Sequence, residues 1–178
     1  MRNLELFHPS LKRLLLVRLR SIGDTVLMTP CLAALRTWSS SVEIDVVVES
    51  LSAPILQGHP LVNRLYTLPR SLQARVQVVG ELRRRGSDLA FNLHGGTTGT
   101  FLTLLSGAKH TVTYSANQYS FLLKHRAPSP TQIWDKEDIH CVEQQLGLLK
   151  WAGLPLSAPP ACSLRPAPEA LARVEAML

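Results

Sequence analysis

The sequence has little of what marks several large classes of protein. Its three cysteines form neither a Cys-x-x-Cys pair nor a metal-ligand spacing, which argues against a disulfide scaffold and makes a reducing cytoplasm the simplest compartment. No apolar run approaches the ~18–20 residues of a membrane span, and the first ten residues lack the apolar core of a signal peptide, so neither is predicted. Aromatic residues make up 6% of the chain and do not interleave with basic ones, so the stacking platform of a single-strand nucleic-acid binder is missing.

Positive charge, in contrast, is plentiful and uneven. The net charge is +6 and the isoelectric point is about 9.7. Residues 1–40 contain six Lys or Arg and two acids, and residues 70–86 contain five and one. Two basic zones predict an anionic partner, which leaves nucleic acid, an anionic lipid surface and a phosphorylated substrate open. The zone at 70–86 can equally be a solvated basic face.

Apolar blocks alternate with helical patterns along the chain. Helices are expected at 25–38, with Pro30 either kinking the helix or lying in its first turn, at 71–85, where Gly86 ends it, and at 138–153. The segment 115–134 is predicted to be irregular. Strands are predicted at 12–19, 42–48, 62–69, 87–93 and 110–115. The alternation predicts an α/β fold, a Rossmann-like doubly wound parallel sheet covered on both faces.

In such a sheet the ligand crevice lies outside the carboxyl ends of the strands, and two polar loops leave predicted strand ends there. The first is Arg20–Asp24, in which Gly23 is expected to allow a tight turn. Asp24 then has two interpretations, as the N-cap of the next helix or as a general base for a substrate hydroxyl.

The second loop, Asn92–Gly99, carries three glycines and two threonines ahead of a helix predicted at 100–107. Amides and hydroxyls at a helix N-terminus suit an anion, although a flexible turn fits equally well. The spacing matches neither a dinucleotide fingerprint nor a Walker A loop. His94 is either a substrate contact or a partner of a neighbouring loop, and His140 is either a cap or a surface residue.

The segment RLRSIGDTVLMTPCLAALR resembles the opening of glycosyltransferase family 9, the bacterial ADP-heptose:lipopolysaccharide heptosyltransferases. The stretches VEIDVVVES, RRRGSDLAFNLHGGTTGTFLTLLSGAKHTVTYS and HCVEQQLGLLKWAGLP resemble three later blocks of that family, in order, over nearly all of residues 12–156. The positions that fill the opening pattern are Arg18, Ser21, Gly23, Asp24, Pro30, Leu32 and Leu35.

The resemblance implies the GT-B architecture, in which two Rossmann-like domains face a cleft. Residues 11–156 would be the N-terminal domain, which holds the lipopolysaccharide inner-core acceptor. Residues 157–178 would be a linker and the first helix toward a C-terminal domain that binds the nucleotide sugar, ADP-heptose. The chain would thus be half of an enzyme and inactive alone. It would work without a metal and without nucleic acid, in the cytoplasm at the inner face of the inner membrane.

Carried over to this sequence, the resemblance makes Asp24 the catalytic base of an inverting transfer. The residues implied to bind or shape the acceptor site are Arg18, Arg20, Ser21, Gly23, Asn92, His94, Gly95, Gly96, Thr97, Thr98 and His140. Two departures stand out. Leu27 occupies a position that is His in some members, and Asn92-Leu93-His94-Gly95 replaces a common Asp-Leu-Gln-Gly.

Two other functions stay open from the residues alone. One is a stand-alone, non-enzymatic Rossmann-like module that binds an anionic ligand or a partner protein. It would expose an apolar face where the second domain is missing. The weaker alternative is a nucleic-acid binder, which steeply salt-dependent binding of DNA would favour.

Overall fold

The computed structural model describes residues 4–164 and 174–177, which form a parallel sheet with helices on both faces. The strands are β1 (Arg13–Val17), β2 (Glu43–Glu49), β3 (Arg64–Leu68), β4 (Leu89–Asn92), β5 (His110–Tyr114) and β6 (His125–Ala127). The helices are α1 (Ile22–Val26), α2 (Thr29–Trp38), α3 (Ala53–Leu56), α4 (Leu72–Arg85), α5 (Thr97–Leu105), α6 (Pro130–Trp134) and α7 (Cys141–Trp151), and Ser120–Leu122 forms a 3₁₀ turn. The predicted Rossmann-like fold class is confirmed.

The sheet order is β3-β2-β1-β4-β5-β6, with every neighbouring pair parallel. Strand β1 lies in the middle, and its last four residues are fully buried because helices cover both faces. Successive side chains of a strand point to opposite faces. Leu14 and Leu16 accordingly pack in a core cluster with α2 and α7, whereas Leu15 and Val17 pack in a second cluster with α4 and α5.

The helix predicted at 25–38 is two helices. Ser21, not Asp24, is the N-cap of α1, and Asp24 is its third helical residue. Pro30 lies in the first turn of α2, where a backbone amide would have no partner within the helix, so its missing N–H costs the helix no hydrogen bond. Of the two predictions for Pro30, the position in the first turn is therefore confirmed and the kink is wrong. Gly23 lies inside α1 without a positive φ, so its expected role in a tight turn is wrong. The chain bends instead at Arg20, whose φ is 45°.

The segment 115–134 is more regular than predicted. It contains strand β6, which pairs with β5 through Val112 and His125, and helix α6, which begins at Pro130. Ser129 caps α6 by accepting from the backbone amide of Gln132, whose side chain in turn accepts from the amide of Ser129. Three residues of strand are too few to produce a periodic signal.

The structure describes only part of the linker and helix that were predicted over residues 157–178. Residues 157–164 contain no regular helix or strand, and their assignment as a linker stays a prediction. Residues 165–173, which hold most of the first helix predicted after that linker, lie outside the described residues. No helix in the described part of the chain is both long enough and apolar enough to cross a bilayer.

Asp88 ties together the amino ends of β1, β4 and β5. Its Oδ2 accepts from the amides of Lys12 and Arg13 at 2.9 and 3.0 Å, and its Oδ1 pairs with Lys109 Nζ at 2.8 Å. Burial alone would raise the pKa of this carboxyl, but the hydrogen bonds from Lys109, Lys12 and Arg13 together lower it to about 2. Below the unfolded value of 3.8 the unfolded state binds the proton first, so this stabilisation is lost as pH falls toward 2.

We expect Asp88→Asn to lower the free energy of unfolding at pH 7 by about 1.5–3 kcal/mol, because hydrogen bonds to a charged group are removed. The difference in the free energy of unfolding between the variant and the wild type should become smaller as the pH falls from 7 to 3. Urea unfolding at several pH values measures both effects. Asp138→Asn, at an exposed carboxylate, is the matched control, and a gap that does not change with pH would contradict the assignment.

Candidate functional site

The site lies at the carboxyl ends of β1 and β4, the central strands at which the connections reverse direction. Strands β2 and β3 extend the sheet on one side of this pair, and β5 and β6 extend it on the other. A crevice forms where the order reverses, and ligands of open α/β sheets bind in it. The two loops that the sequence singled out meet here, since the amide of Leu93 donates to the carbonyl of Val17 at 3.0 Å.

Arg18 joins the two loops. One guanidinium nitrogen, Nη1, donates to the carbonyl of Leu93 at 2.5 Å, and Nη2 pairs with Asp24 Oδ1 at 2.6 Å. The side chain of Arg18 is 13% exposed and that of Asp24 is 32% exposed, so the pair is shielded on the Arg18 side and open to solvent on the Asp24 side. A nearly buried guanidinium thus orients a carboxylate at the crevice mouth.

The second carboxylate oxygen of Asp24 is held from the opposite side. Asp24 Oδ2 accepts from the amide and the hydroxyl of Ser21 at 3.2 and 3.3 Å, while Ser21 Oγ accepts from the Asp24 amide at 3.4 Å. This reciprocal pattern is a capping box. Asp24 therefore has a structural role at the start of α1, and its position leaves the chemical role available to the same side chain.

Asn92 shapes the second loop from beneath. Its side chain is fully buried, donates to Thr100 Oγ1 at 3.1 Å and accepts from the amides of His94 and Gly95 at 3.2 Å each. These partners are within the protein, so Asn92 positions the loop, and its predicted contact with an acceptor stays a prediction. A Cβ on Gly99 would lie 2.5 Å from Asn92 Oδ1, which explains why a glycine stands there.

Three further predicted residues stand at the start of α5, which begins three residues earlier than expected. Gly96 is the N-cap and offers no side-chain cap. Thr97 is exposed and donates from Oγ1 to Gln118 Oε1 at 2.7 Å, and Thr98 is partly exposed in the first turn. Gly95, with a φ of 79°, makes the turn that leads to them.

A cavity of about 190 Å³ opens beside Arg18, between β1, β4, β5 and α7. Two of the residues that line it carry a buried polar atom, Arg18 Nε and Gln145 Oε1, that has no hydrogen-bond partner within the described structure. A buried donor and a buried acceptor without partners are costly unless a ligand or water satisfies them. The cavity lining consists of Arg18, Leu93, His94, Gly95, Tyr114, Asn117, Gln144, Gln145 and Leu148.

His94 is the histidine among the residues that line this cavity. Burial, and then the positive charges of Arg18 and Arg20, lower the pKa of its imidazole. The ring is therefore neutral at pH 7, with one donor and one acceptor nitrogen, and a hydrogen bond to the backbone of Leu19 engages one of the two.

Tyr114, Asn117 and Gln145 are cavity residues that the sequence reasoning missed. Burial raises the pKa of the Tyr114 phenol, which keeps its proton and donates to the carbonyl of Gln144. Gln145 Nε2 lies 3.5 Å from the backbone carbonyl of Asp24, so α7 contacts the Arg20–Asp24 loop directly. The signal that could have found Gln145 is a glutamine on the helix face that also carries Val142 and Leu146 and packs on the core.

His140 lies apart from the cavity lining. It is the N-cap of α7, and its Nδ1 accepts from the amide of Val142 at 3.2 Å while Glu143 accepts from the His140 amide at 3.1 Å. The capping interpretation of His140 fits this geometry, and its predicted contact with an acceptor stays a prediction.

A basic cleft opens at the same edge of the sheet, on the other side of β1. Its volume is about 300 Å³, and the carboxyl ends of β2 and β3 form its floor. Three arginines line it: Arg20, Arg70 and Arg75. Arg20 belongs to the first basic zone of the sequence and the other two belong to the second, so folding brings the two zones together. Glu49 is the one carboxylate among the residues that line it. The described residues contain no cluster of three His, Cys, Asp or Glu side chains that could hold a metal.

No protein-family model matches the chain, and no curated protein matches it. Solved structures do. The glycosyltransferase family 9 protein of Veillonella parvula superimposes with a TM-score of 0.80 at 18% identity, over 97% of this chain and 49% of that one. The E. coli ADP-heptose lps heptosyltransferase II gives 0.71 at 17% identity, over 93% and 50%. The E. coli heptosyltransferase WaaC with ADP gives 0.65 at 19% identity, over 85% and 50%.

The chain spans about half the length of each of these structures. At such identities the likeness establishes the fold, and the proteins that share it are those that the sequence motifs pointed to. The predicted resemblance to glycosyltransferase family 9 is thus confirmed in three dimensions, and the chain has the Rossmann-like α/β fold of half a GT-B glycosyltransferase.

Proposed function

We propose that this chain is the acceptor-binding half of an inverting glycosyltransferase, which transfers heptose from ADP-heptose to the inner core of lipopolysaccharide. Its structural neighbours include proteins described as heptosyltransferases, and one of these, E. coli WaaC, has structures with ADP and with ADP-2-deoxy-2-fluoro heptose. The donor would be bound mainly by the other half of the enzyme. The acceptor would be reached from the inner face of the inner membrane.

The observation that carries the proposal is the placement of Asp24. Its carboxylate stands at the topological switch point, held by Arg18, beside a polar cavity in which Arg18 Nε and Gln145 Oε1 lack partners. A saccharide hydroxyl is both donor and acceptor, so it suits a cavity whose lining residues carry one unsatisfied atom of each kind.

The chemistry needs one base. The acceptor hydroxyl gives its proton to a carboxylate oxygen of Asp24 while its oxygen forms a bond to the anomeric carbon of the donor. The bond from that carbon to the diphosphate breaks, and its electron pair leaves with ADP. Attack from the face opposite the leaving group inverts the anomeric centre, and no covalent enzyme intermediate is required. Arg18 fixes the carboxylate for this step.

The basic cleft supports an anionic acceptor. Guanidinium groups bind carboxylates and phosphates through paired hydrogen bonds, and Arg20, Arg70 and Arg75 line one cleft at the edge where the acceptor would lie. The saccharide would then extend from the cavity beside Arg18 across β1 to this cleft.

Calorimetric titration of the chain with deacylated lipopolysaccharide inner-core saccharide tests the proposal. We expect saturable binding that Arg70→Gln weakens roughly tenfold, because one charge-assisted hydrogen bond is lost. Arg84→Gln, at an exposed arginine of the opposite edge, is the matched control and should leave the affinity unchanged. In a complete two-domain enzyme that contains this chain, NMR of the product should reveal an inverted anomeric centre.

Two results would overturn the proposal. One is absence of saccharide binding together with steeply salt-dependent binding of duplex DNA, which assigns the basic residues to nucleic acid. The other is saccharide binding without transfer in the complete enzyme, which makes the chain a binding module.

A further inference from the structure

An apolar cluster of five exposed side chains lies beside the site. We call it the aromatic patch, and it consists of Phe101, Leu104, Leu105, Tyr119 and Phe121. All five side chains are exposed, Phe121 at 67% and Tyr119 at 48%. The rings form a continuous row, with centroids 5.9 Å apart for Phe101 and Tyr119 and 6.2 Å apart for Tyr119 and Phe121. Contiguous exposed apolar side chains of this size mark an interaction surface.

The aromatic patch is built into the acceptor side of the site. Asn117 lines the cavity beside Arg18, whereas Tyr119 and Phe121, a few residues further on, line a separate cleft of about 360 Å³ with Thr97 and Gln118. Gln118 connects the cavity to this cleft, because its amide donates to the carbonyl of Gly95 at 3.3 Å and its side chain accepts from Thr97. One short segment therefore turns a polar side chain to the cavity and aromatic side chains outward.

The charge around the patch has one sign. Residues 89–134, which contain the whole patch, include three Lys or Arg and no Asp or Glu. Lys124 follows Phe121 by three residues, within about 10 Å of chain, and Arg126 stands on the edge strand β6; both side chains are exposed. Lys109 is neutralised by Asp88. Lys124 Nζ donates to the backbone carbonyl of Lys109, and neither Lys124 nor Arg126 has a carboxylate partner within the described structure.

Exposed aromatic side chains flanked by cations favour an anionic lipid surface over a second copy of the chain as the partner of the aromatic patch. A second copy of the chain, packed about a two-fold axis, would bring identical cationic flanks together, because a symmetric interface joins the same patch on both subunits. Anionic lipid headgroups attract the same flanks, and aromatic side chains are favoured at the level of the headgroups.

We propose that the aromatic patch, with Lys124 and Arg126, docks the chain onto an anionic lipid bilayer. The inference rests on the proposed function, because a lipid-linked acceptor requires the site to lie close to the bilayer. The aromatic side chains enter the headgroup region, the two cations contact lipid phosphates, and the cavity beside Arg18 faces the saccharide that rises from the membrane.

Vesicle flotation of the 178-residue chain tests the proposal, with phosphatidylethanolamine and phosphatidylglycerol at 7:3 against pure phosphatidylcholine. We expect binding to the anionic vesicles, and a loss of at least tenfold in partitioning for Phe101→Ser/Phe121→Ser. Leu72→Ser/Val76→Ser is the matched control, since these α4 side chains are exposed at 78% and 64% and lie outside the patch. Lys124→Gln/Arg126→Gln should lower the partitioning onto anionic vesicles roughly tenfold or more and should change the partitioning onto neutral vesicles little.

Each other outcome counts against the inference. Absence of wild-type binding, or equal losses in the patch and control variants, overturns it. A dimer by sedimentation that Phe101→Ser/Phe121→Ser dissociates would assign the patch to self-association instead. Circular dichroism of each variant checks that these surface substitutions leave the fold intact. Binding of the deacylated saccharide should survive in the patch variant, so failure of membrane docking and failure of the proposed function give different results.

Discussion

Asp24→Asn is expected to lower kcat about 10²–10⁴-fold in a complete two-domain enzyme that contains this chain, the range that a positioned general base contributes. The amide has nearly the shape of the carboxylate, and its oxygen can still accept from Arg18, but it cannot take up the proton of the acceptor hydroxyl. The KM for the acceptor should change little, because the remaining cavity and the basic cleft are intact. Steady-state kinetics with the acceptor varied at saturating donor separates the two parameters.

The capping box makes a structural control necessary, since Asp24 also stabilises the start of α1. Loss of a cap costs about 1 kcal/mol of folding stability, which thermal unfolding of the variant measures. Asp138→Asn changes an exposed carboxylate near α7 in the same way and should leave kcat unaltered. Turnover of Asp24→Asn within a few-fold of the wild type would remove the base assignment and leave Asp24 with its structural role alone.

The strands around the site could be predicted because they are buried on both faces. A central parallel strand such as Leu14–Val17 has to be apolar at every position, so it stands out as a run without polar residues. The exposed edge strand β6 has no such requirement. It contains His125 and Arg126, and it forms because β5 offers it a row of backbone partners, which no local pattern reveals.

The residues of the candidate site also fall into two groups, those that local sequence patterns reveal and those that only the packing of the fold brings together. Asp24 and His94 lie in the segments that follow β1 and β4 and could be found from strand ends and turn residues, whereas Arg18 was found through the family resemblance. The N-cap was misassigned because Asp24 and Ser21 are both good caps, and the reciprocal bonds of a capping box decide between them.

The other cavity residues, Tyr114, Asn117 and Gln145, reach the site through the order of the strands and the packing of α7. These are long-range relations that neighbouring letters of the sequence do not contain. Asn92 shows the converse: its place at a strand end was visible in the sequence, but its hydrogen bonds to the amides of His94 and Gly95, which hold the loop, were not.

Arg85→Met is expected to lower the free energy of unfolding by about 3–5 kcal/mol at pH 7, because it leaves a buried charge without its partner. Asp45 is fully buried in β2, and its Oδ2 accepts from Arg85 Nε at 2.9 Å while its Oδ1 has no hydrogen-bond partner within the described structure. Arg85 also pairs with Glu43 at 2.8 Å. Urea unfolding measures the change, and Arg84→Met, at the exposed neighbouring arginine, should cost less than 1 kcal/mol.

Two further measurements distinguish an unpaired charge from lost packing. Asp45→Asn/Arg85→Met should recover part of the loss, since the variant carries no charge to desolvate. Burial already raises the pKa of the Asp45 carboxyl against the opposing effect of Arg85, so removing Arg85 raises that pKa further. The folded state of Arg85→Met then binds a proton more tightly than the unfolded state, whose value is 3.8, and its stability rises as the pH falls toward that value. The destabilisation should therefore be smaller at pH 5 than at pH 7, whereas a packing defect would give the same loss at both, because a cavity does not titrate.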